Sequence, residues 1–241
     1  MNPLLEMGSL RCCVRLAFLS LLAASCLSAA PLVLFVNIDT STFLDTQGNL
    51  DLQFNPGDDS TQFATAQMSD YSGSSFSGIA SPIGDVAGDL PGALLFDNGS
   101  AFNDYYRPVI FGSVLRFTLT IDGPAVESPS GTATSGSSFG VGIFDNSLPN
   151  PNPLLTTDPN GFIAVVNLDI NGLISITTFP SDSNGGPPAA EVVAAPEPST
   201  LVLFLAALGG FVATRIRKGL SRRERDLGHH VACLDQPWFD S

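Results

Sequence analysis

Between Pro31 and Pro198 the side chains able to do chemistry are carboxylates, hydroxyls, amides and two guanidinium groups, Arg107 and Arg116. That stretch holds no His, Cys, Lys or Trp. It therefore lacks the usual general base, the thiol and amine nucleophiles and the commonest metal ligands. What remains is densest at Asn103-Asp104-Tyr105-Tyr106-Arg107. Tyrosines beside an Asp and an Arg can stack on a sugar ring and hydrogen-bond to it, or they can cover the end of a β domain. Asp104, Tyr105, Tyr106 and Arg107 are accordingly the candidate ligand contacts. Asp58-Asp59 follows a Pro-Gly turn, and Asp85 and Asp89 bracket a glycine-bearing loop. Either pair could meet a cation or simply face water. Asn167, Asp169, Asn171 and Gly172 imitate the start of a calcium loop, but its twelfth position is Thr178 where a bidentate Glu is needed. No metal or cofactor is expected. A spaced pair of carboxylates would serve glycoside hydrolysis, yet nothing selects a pair among the 18 acidic residues of this stretch. The expectation is a non-enzymatic module, with a carbohydrate-binding module, calcium-assisted or not, as the alternative and a carboxylate-pair glycosidase behind it.

The elements that position these groups read as strands. Leu32 to Ile38 is apolar and β-branched. Leu50, Leu52 and Phe54 alternate with polar residues, as do Leu115, Phe117, Leu119 and Ile121; Phe139, Val141 and Ile143 alternate with glycines. Such period-two patterning marks strands with one buried face. Turn residues punctuate the runs at Asn55-Pro56-Gly57, Asp97-Asn98-Gly99, Asp122-Gly123-Pro124 and Asp158-Pro159-Asn160-Gly161. Ile163 to Ile170, Asn171-Gly172 and Leu173 to Phe179 read as a hairpin with a two-residue type I′ turn. No stretch of the domain carries a helical apolar stripe. The expected fold is all-β: an antiparallel β-sandwich of eight to ten strands, jelly-roll-like, over residues 31–180.

Charge and the ends of the chain say where this domain goes. The 241 residues carry a net charge of −13, but Pro31 to Pro198 alone carries 18 acidic and two basic residues. A domain this acidic is repelled by nucleic acid and by anionic headgroups, so no nucleic-acid partner is expected. At the N-terminus, Arg11 and Arg15 precede an apolar run from Leu16 to Leu27 and small residues at Ser28, Ala29 and Ala30. This is the tripartite pattern of a signal peptide over residues 1–30, which implies the Sec export machinery and signal peptidase as partners. All four cysteines lie outside the domain, which needs no disulfide at its size.

Residues 181–198 are rich in Pro and Gly and read as an extended linker ending in Pro196-Glu197-Pro198. Leu201 to Ala213 then gives about 20 Å of apolar helix, short for a core of about 30 Å unless flanking residues are included and arginines snorkel. Arg215, Arg217 and Lys218 follow and set the C-terminus in the cytoplasm, with the acidic domain outside. Residues 199–218 are thus the expected transmembrane helix and basic cluster. Residues 219–241 are expected to be a disordered cytoplasmic tail; its His229, His230 and Cys233 are read as incidental.

Pro196-Glu197-Pro198, the short apolar helix and the basic cluster, in that order, resemble a PEP-CTERM sorting domain of Gram-negative bacteria that make exopolysaccharide. The resemblance implies recognition of Pro196, Glu197 and Pro198 by a membrane-embedded exosortase and cleavage at or near them. It implies an inner-membrane-anchored precursor, then delivery to the cell surface or extracellular matrix, where exopolysaccharide is a possible partner. The stretches 35–40, 50–57, 101–105 and 154–162 are similar to one group of PEP-CTERM proteins. That similarity supports the same placement and brings no mechanism with it. The tail from Gly219 to Ser241 departs from the pattern, since such proteins usually end near the basic cluster.

Overall fold

The computed structural model describes residues 30–195. The signal segment, Pro196, Glu197 and Pro198, the sorting helix with Arg215, Arg217 and Lys218, and the tail lie outside the described residues. Within them the chain is mostly β. The strands are β1 (Leu32–Asp39), β2 (Gln47–Pro56), β3 (Thr65–Phe76), β4 (Ser81–Ile83), β5 (Val86–Gly88) and β6 (Leu94–Asp97), followed by β7 (Asp104–Asp122), β8 (Ser137–Asp145), β9 (Phe162–Leu168), β10 (Ile174–Thr178) and β11 (Ala190–Ala194). A short helix, α1 (Pro124–Glu127), and a 3-10 turn at Ser41–Phe43 are additions that the periodicity did not show. All pairings are antiparallel.

Two hydrogen-bonded sheets of a jelly-roll sandwich were expected. The strands instead form one open sheet of 11 strands. The cause is β7, whose 19 residues are enough for two sets of partners. Its first half, Asp104 to Ile110, pairs with β2. Its second half, Val114 to Ile121, pairs with β1. Its other edge is taken by β3 and, at Asp104 to Tyr106, by β4. The partner switch falls at Gly112, where a Cβ would lie 2.1 Å from the Gly73 carbonyl oxygen. Gly73, at φ +98°, sits where the β3–β7 register shifts. Two backbones approach closely there because neither residue has a side chain. The β1–β2 connection is fastened at the same place: the Thr40 hydroxyl donates to the Gly112 carbonyl at 2.7 Å.

The sheet also folds over its own apolar face. Along the strand order, β6 and β8 are separated by β3, β7 and β2. Four strand spacings span about 19 Å in a flat sheet. Yet the Phe96 ring of β6 and the Phe139 ring of β8 meet edge to face with centroids 5.9 Å apart. The core they join includes Leu34, Leu50, Leu52, Phe54, Leu94, Phe111 and Leu119, all essentially inaccessible to water. Each fully buried side chain of this size contributes roughly 1.5–3 kcal/mol. Two buried asparagines tie loops to this core. Asn98 accepts from the Ala64 N–H and donates to the Gln62 carbonyl and the Ser137 hydroxyl. Asn103 accepts from the Asp85 N–H and donates to the Phe54 and Ser100 carbonyls.

Two local expectations change. The hairpin at β9–β10 is present, but its strands stop at Leu168 and resume at Ile174. Asp169 and Leu173 still pair through a 2.9 Å bond, which leaves three residues in the loop, not two. Gly172 takes φ +74° while Asn171 does not enter the left-handed region. This is the type I turn with a following left-handed glycine. The Asp169 carboxylate selects it by accepting the N–H groups of Asn171 and Leu173. Within the stretch read as linker, Ala190–Ala194 form a strand paired with β1. The Ala195 N–H extends that ladder to the Val33 carbonyl at 2.8 Å.

Candidate functional site

Successive side chains of a strand point to opposite faces, so β7 divides the candidate cluster in two. Tyr105 points into the core and is fully buried. Its hydroxyl donates to the Asp89 carboxylate and accepts the Leu90 N–H at 3.2 Å. Arg107 forms an ion pair with the same carboxylate and donates to the Tyr105 hydroxyl at 3.0 Å and the Leu90 carbonyl at 3.2 Å. Its guanidinium lies 4.0 Å from the centroid of the Phe76 ring. The Arg107 and Tyr105 donors hold the Asp89 carboxyl below its usual range. Tyr105 and Arg107 thus pin the β5–β6 connection through the Tyr105 hydroxyl and the Arg107 Nη1, while the Arg107 Nε is buried without a hydrogen-bond partner.

Asp104 and Tyr106 face the other way. In the β2–β7 register Gln53 is opposite Asp104 and Asp51 is opposite Tyr106. Asp51 and Asp104 are therefore diagonal neighbours on one face, within reach of each other. Asp51 is 8% exposed and accepts the Gln53 amide with both oxygens, at 3.2 Å each. Asp104 is half-buried, and its Oδ1 is shielded from water without a hydrogen-bond partner. Burial, then the hydrogen bond to Asp51 and the Asp51 charge, push the Asp104 carboxyl up to about 8. Burial also raises Asp51. Like carboxyls in contact cannot both ionise at low cost, so the pair holds one proton at neutral pH. Beside the pair, the Tyr106 ring lies 6.5 Å from Phe144 at a tilt of 46°. Burial first, then the Asp51, Asp104 and Asp145 charges, raise the Tyr106 hydroxyl. The neighbouring β8 backbone is bare at Gly140 and Gly142 because the Phe162 and Phe144 rings occupy the space a Cβ would need.

This face offers a protonated carboxyl as donor, a carboxylate as acceptor and two aromatic rings. Such a set can bind a polyhydroxylated ligand. Among the described residues, no group of three or more His, Cys, Asp or Glu side chains converges to hold a metal ion.

Other acidic side chains serve their own loops. Asp58 accepts from the Ser60 N–H at 2.8 Å and from the Ser60 and Thr134 hydroxyls. Asp85 accepts from the Ser100 hydroxyl at 2.6 Å and is separate from the Asp89 clamp. Asp145 gathers the Asn152 amide and N–H and the Ser147 N–H, which hold its carboxyl well below the usual range.

Asp51 is the site residue that sequence reasoning missed. It reads as a solvent-facing position of an alternating strand, and only the β2–β7 register brings it to Asp104.

No curated protein and no solved structure matches the chain. A family model does match, over residues 194–218, beginning at the last residue of β11 and running through Pro196, Glu197, Pro198, Arg215, Arg217 and Lys218. The chain carries, at residues 194–218, a PEP-CTERM protein-sorting motif.

Proposed function

We propose that this protein is a non-enzymatic structural or binding component of the cell surface or exopolysaccharide matrix. It would be exported through the Sec machinery and released from an inner-membrane precursor by exosortase. The sorting motif at residues 194–218 carries the reading, since it implies an exported chain processed by exosortase at the membrane. The chemistry of the domain supports it. The stretch 31–198 has no His, Cys or Lys, and Asp58, Asp89, Asp145 and Asp169 spend their carboxylates on the domain's own loops and clamp. Cell fractionation tests the placement: the acidic domain should be found in the surface or matrix fraction. Recovery in the cytoplasm would contradict it.

A second reading, a carbohydrate-binding module, is favoured by one observation: Tyr106 and Phe144 flank the Asp51–Asp104 pair on one face. In that reading the rings stack on a sugar and the shared proton donates to a hydroxyl. The mature protein should then bind neutral exopolysaccharide fragments on a glycan array. Tyr106→Ala should weaken binding by about tenfold, since a lost stacking contact of ~1.4 kcal/mol gives that factor. Equal binding with and without chelator would make calcium unnecessary. No binding in either condition leaves the structural role.

A further inference from the structure

The motif begins inside the folded sheet. Its matched residues start at Ala194, which is paired with Leu34, and Ala195 is bonded through its N–H to Val33. Pro196 is the next residue, so no spacer separates the last ladder bond from the Pro-Glu-Pro sequence. An enzyme that cleaves a peptide bond holds several residues on each side of it in an extended cleft. It cannot enclose a strand that lies against β1. From these observations, together with the reading of the motif as an exosortase substrate, we infer that β11 must peel from β1 before the sorting motif can be processed, so that the β1–β11 pairing acts as a gate on exosortase.

The construction of β11 suits such a gate. Its named partner is β1, over the five register pairs from Leu34↔Ala194 to Ile38↔Ala190. Glu191, Val193 and Ala194 are exposed, Val192 is half-buried and Ala190 alone is buried. Detaching β11 therefore removes little apolar surface from the core and leaves β1 on β7 through eight register pairs. Edge elements with few buried contacts open at far lower cost than the core. Pro31, two residues before Val33 and so in the same hydrogen-bonding phase, has no N–H to extend the ladder ahead of β1. The strand that leads out of the signal segment and the strand that leads into the sorting motif thus lie side by side.

A disulfide across the gate tests this in cells that contain exosortase. Phe35 and Val193 are opposite each other, both about half-exposed, and belong to the hydrogen-bonded pair class that includes Val33 and Ala195. Their Cα atoms are then about 5.5 Å apart, within the range a disulfide spans. Phe35→Cys with Val193→Cys adds the only cysteines between Pro31 and Pro198. Asn167→Cys with Ser175→Cys, an exposed pair across β9–β10, is the control staple. The readout is the fraction of chains shortened at the C-terminus, by intact mass, with thermal melting to confirm folding. The gate staple should slow conversion at least about fivefold, reductant should restore it, and the control staple should leave it unchanged. A short Gly/Ser insertion between Ala195 and Pro196 should restore conversion of the stapled chain. Normal conversion of the stapled chain, or no rescue by the insertion, overturns the gate. A wild-type chain that is never shortened overturns the sorting reading, and the gate with it.

Discussion

Replacing Pro196, Glu197 and Pro198 with alanine is expected to leave the chain full-length in the membrane fraction and to lower its surface level by about tenfold or more, the factor that ~1.4 kcal/mol of lost recognition gives. The effect should be this large because the address, not the domain, decides the destination. Among the described residues, no helix is long and apolar enough to cross a membrane. The triple substitution also leaves the described fold intact, since the last ladder bond is made by Ala195. Thermal melting of the variant should therefore match that of the parent chain. Equal surface levels in the two chains would mean that another segment sorts the protein. Exchanging Arg215, Arg217 and Lys218 for glutamate should act differently, by weakening the positive-inside anchor that orients the precursor.

Asp104→Asn is expected to make the domain more stable at pH 8 by roughly 1–3 kcal/mol, after allowance for solvent screening of a half-buried pair. In the folded chain the Asp104 carboxyl is pushed up to about 8 by burial and by Asp51, whereas unfolded Asp titrates near ~3.9. The folded state thus binds this proton more tightly. Its contribution is fully present below about pH 4 and is lost as the pH rises through about 8. Asp89 and Asp145 act in the opposite sense, because their folded carboxyls are held low by hydrogen-bond donors. Their stabilisation is present above about pH 4 and is lost below it. Stability should accordingly peak in mildly acidic solution, between about pH 4 and 6. Urea unfolding at pH 5 and pH 8 measures the decline, and the Asn variant, which can still donate to Asp51, should abolish most of it. A parent chain equally stable at both pH values would show that the Asp104 carboxyl is not raised in the folded domain.

The residues that alternate with period two were legible in sequence: Leu50 to Phe54, Leu115 to Ile121 and Phe139 to Ile143 all lie in strands with that face buried. The single sheet was not, because it depends on the length of β7. Its first half reads as a polar-aromatic cluster, since Tyr105 points inward while Asp104 and Tyr106 point outward. β3 was hidden by its composition: Ser69 to Ser75 breaks the apolar alternation where the strand bulges against β7. β11 was hidden by the Pro and Gly around it, although Glu191-Val192-Val193 has strand propensity. At the candidate site, the Asp104–Arg107 segment was visible as a concentration of side-chain types. Its division into an inward clamp with Asp89 and an outward pair with Asp51 follows from strand phase and long-range register, which local spacing does not encode.

If this chain is an acidic β domain delivered by its C-terminal sorting motif and parted from it, the delivered protein lacks that motif. Peptide mapping and intact mass of the protein recovered from the surface fraction test that most directly. The mature C-terminus is expected at or near Pro196-Glu197-Pro198, with nothing recovered from Leu201 to Ser241. Surface-exposed protein yielding intact peptides that span Pro198 to Arg215 would contradict it.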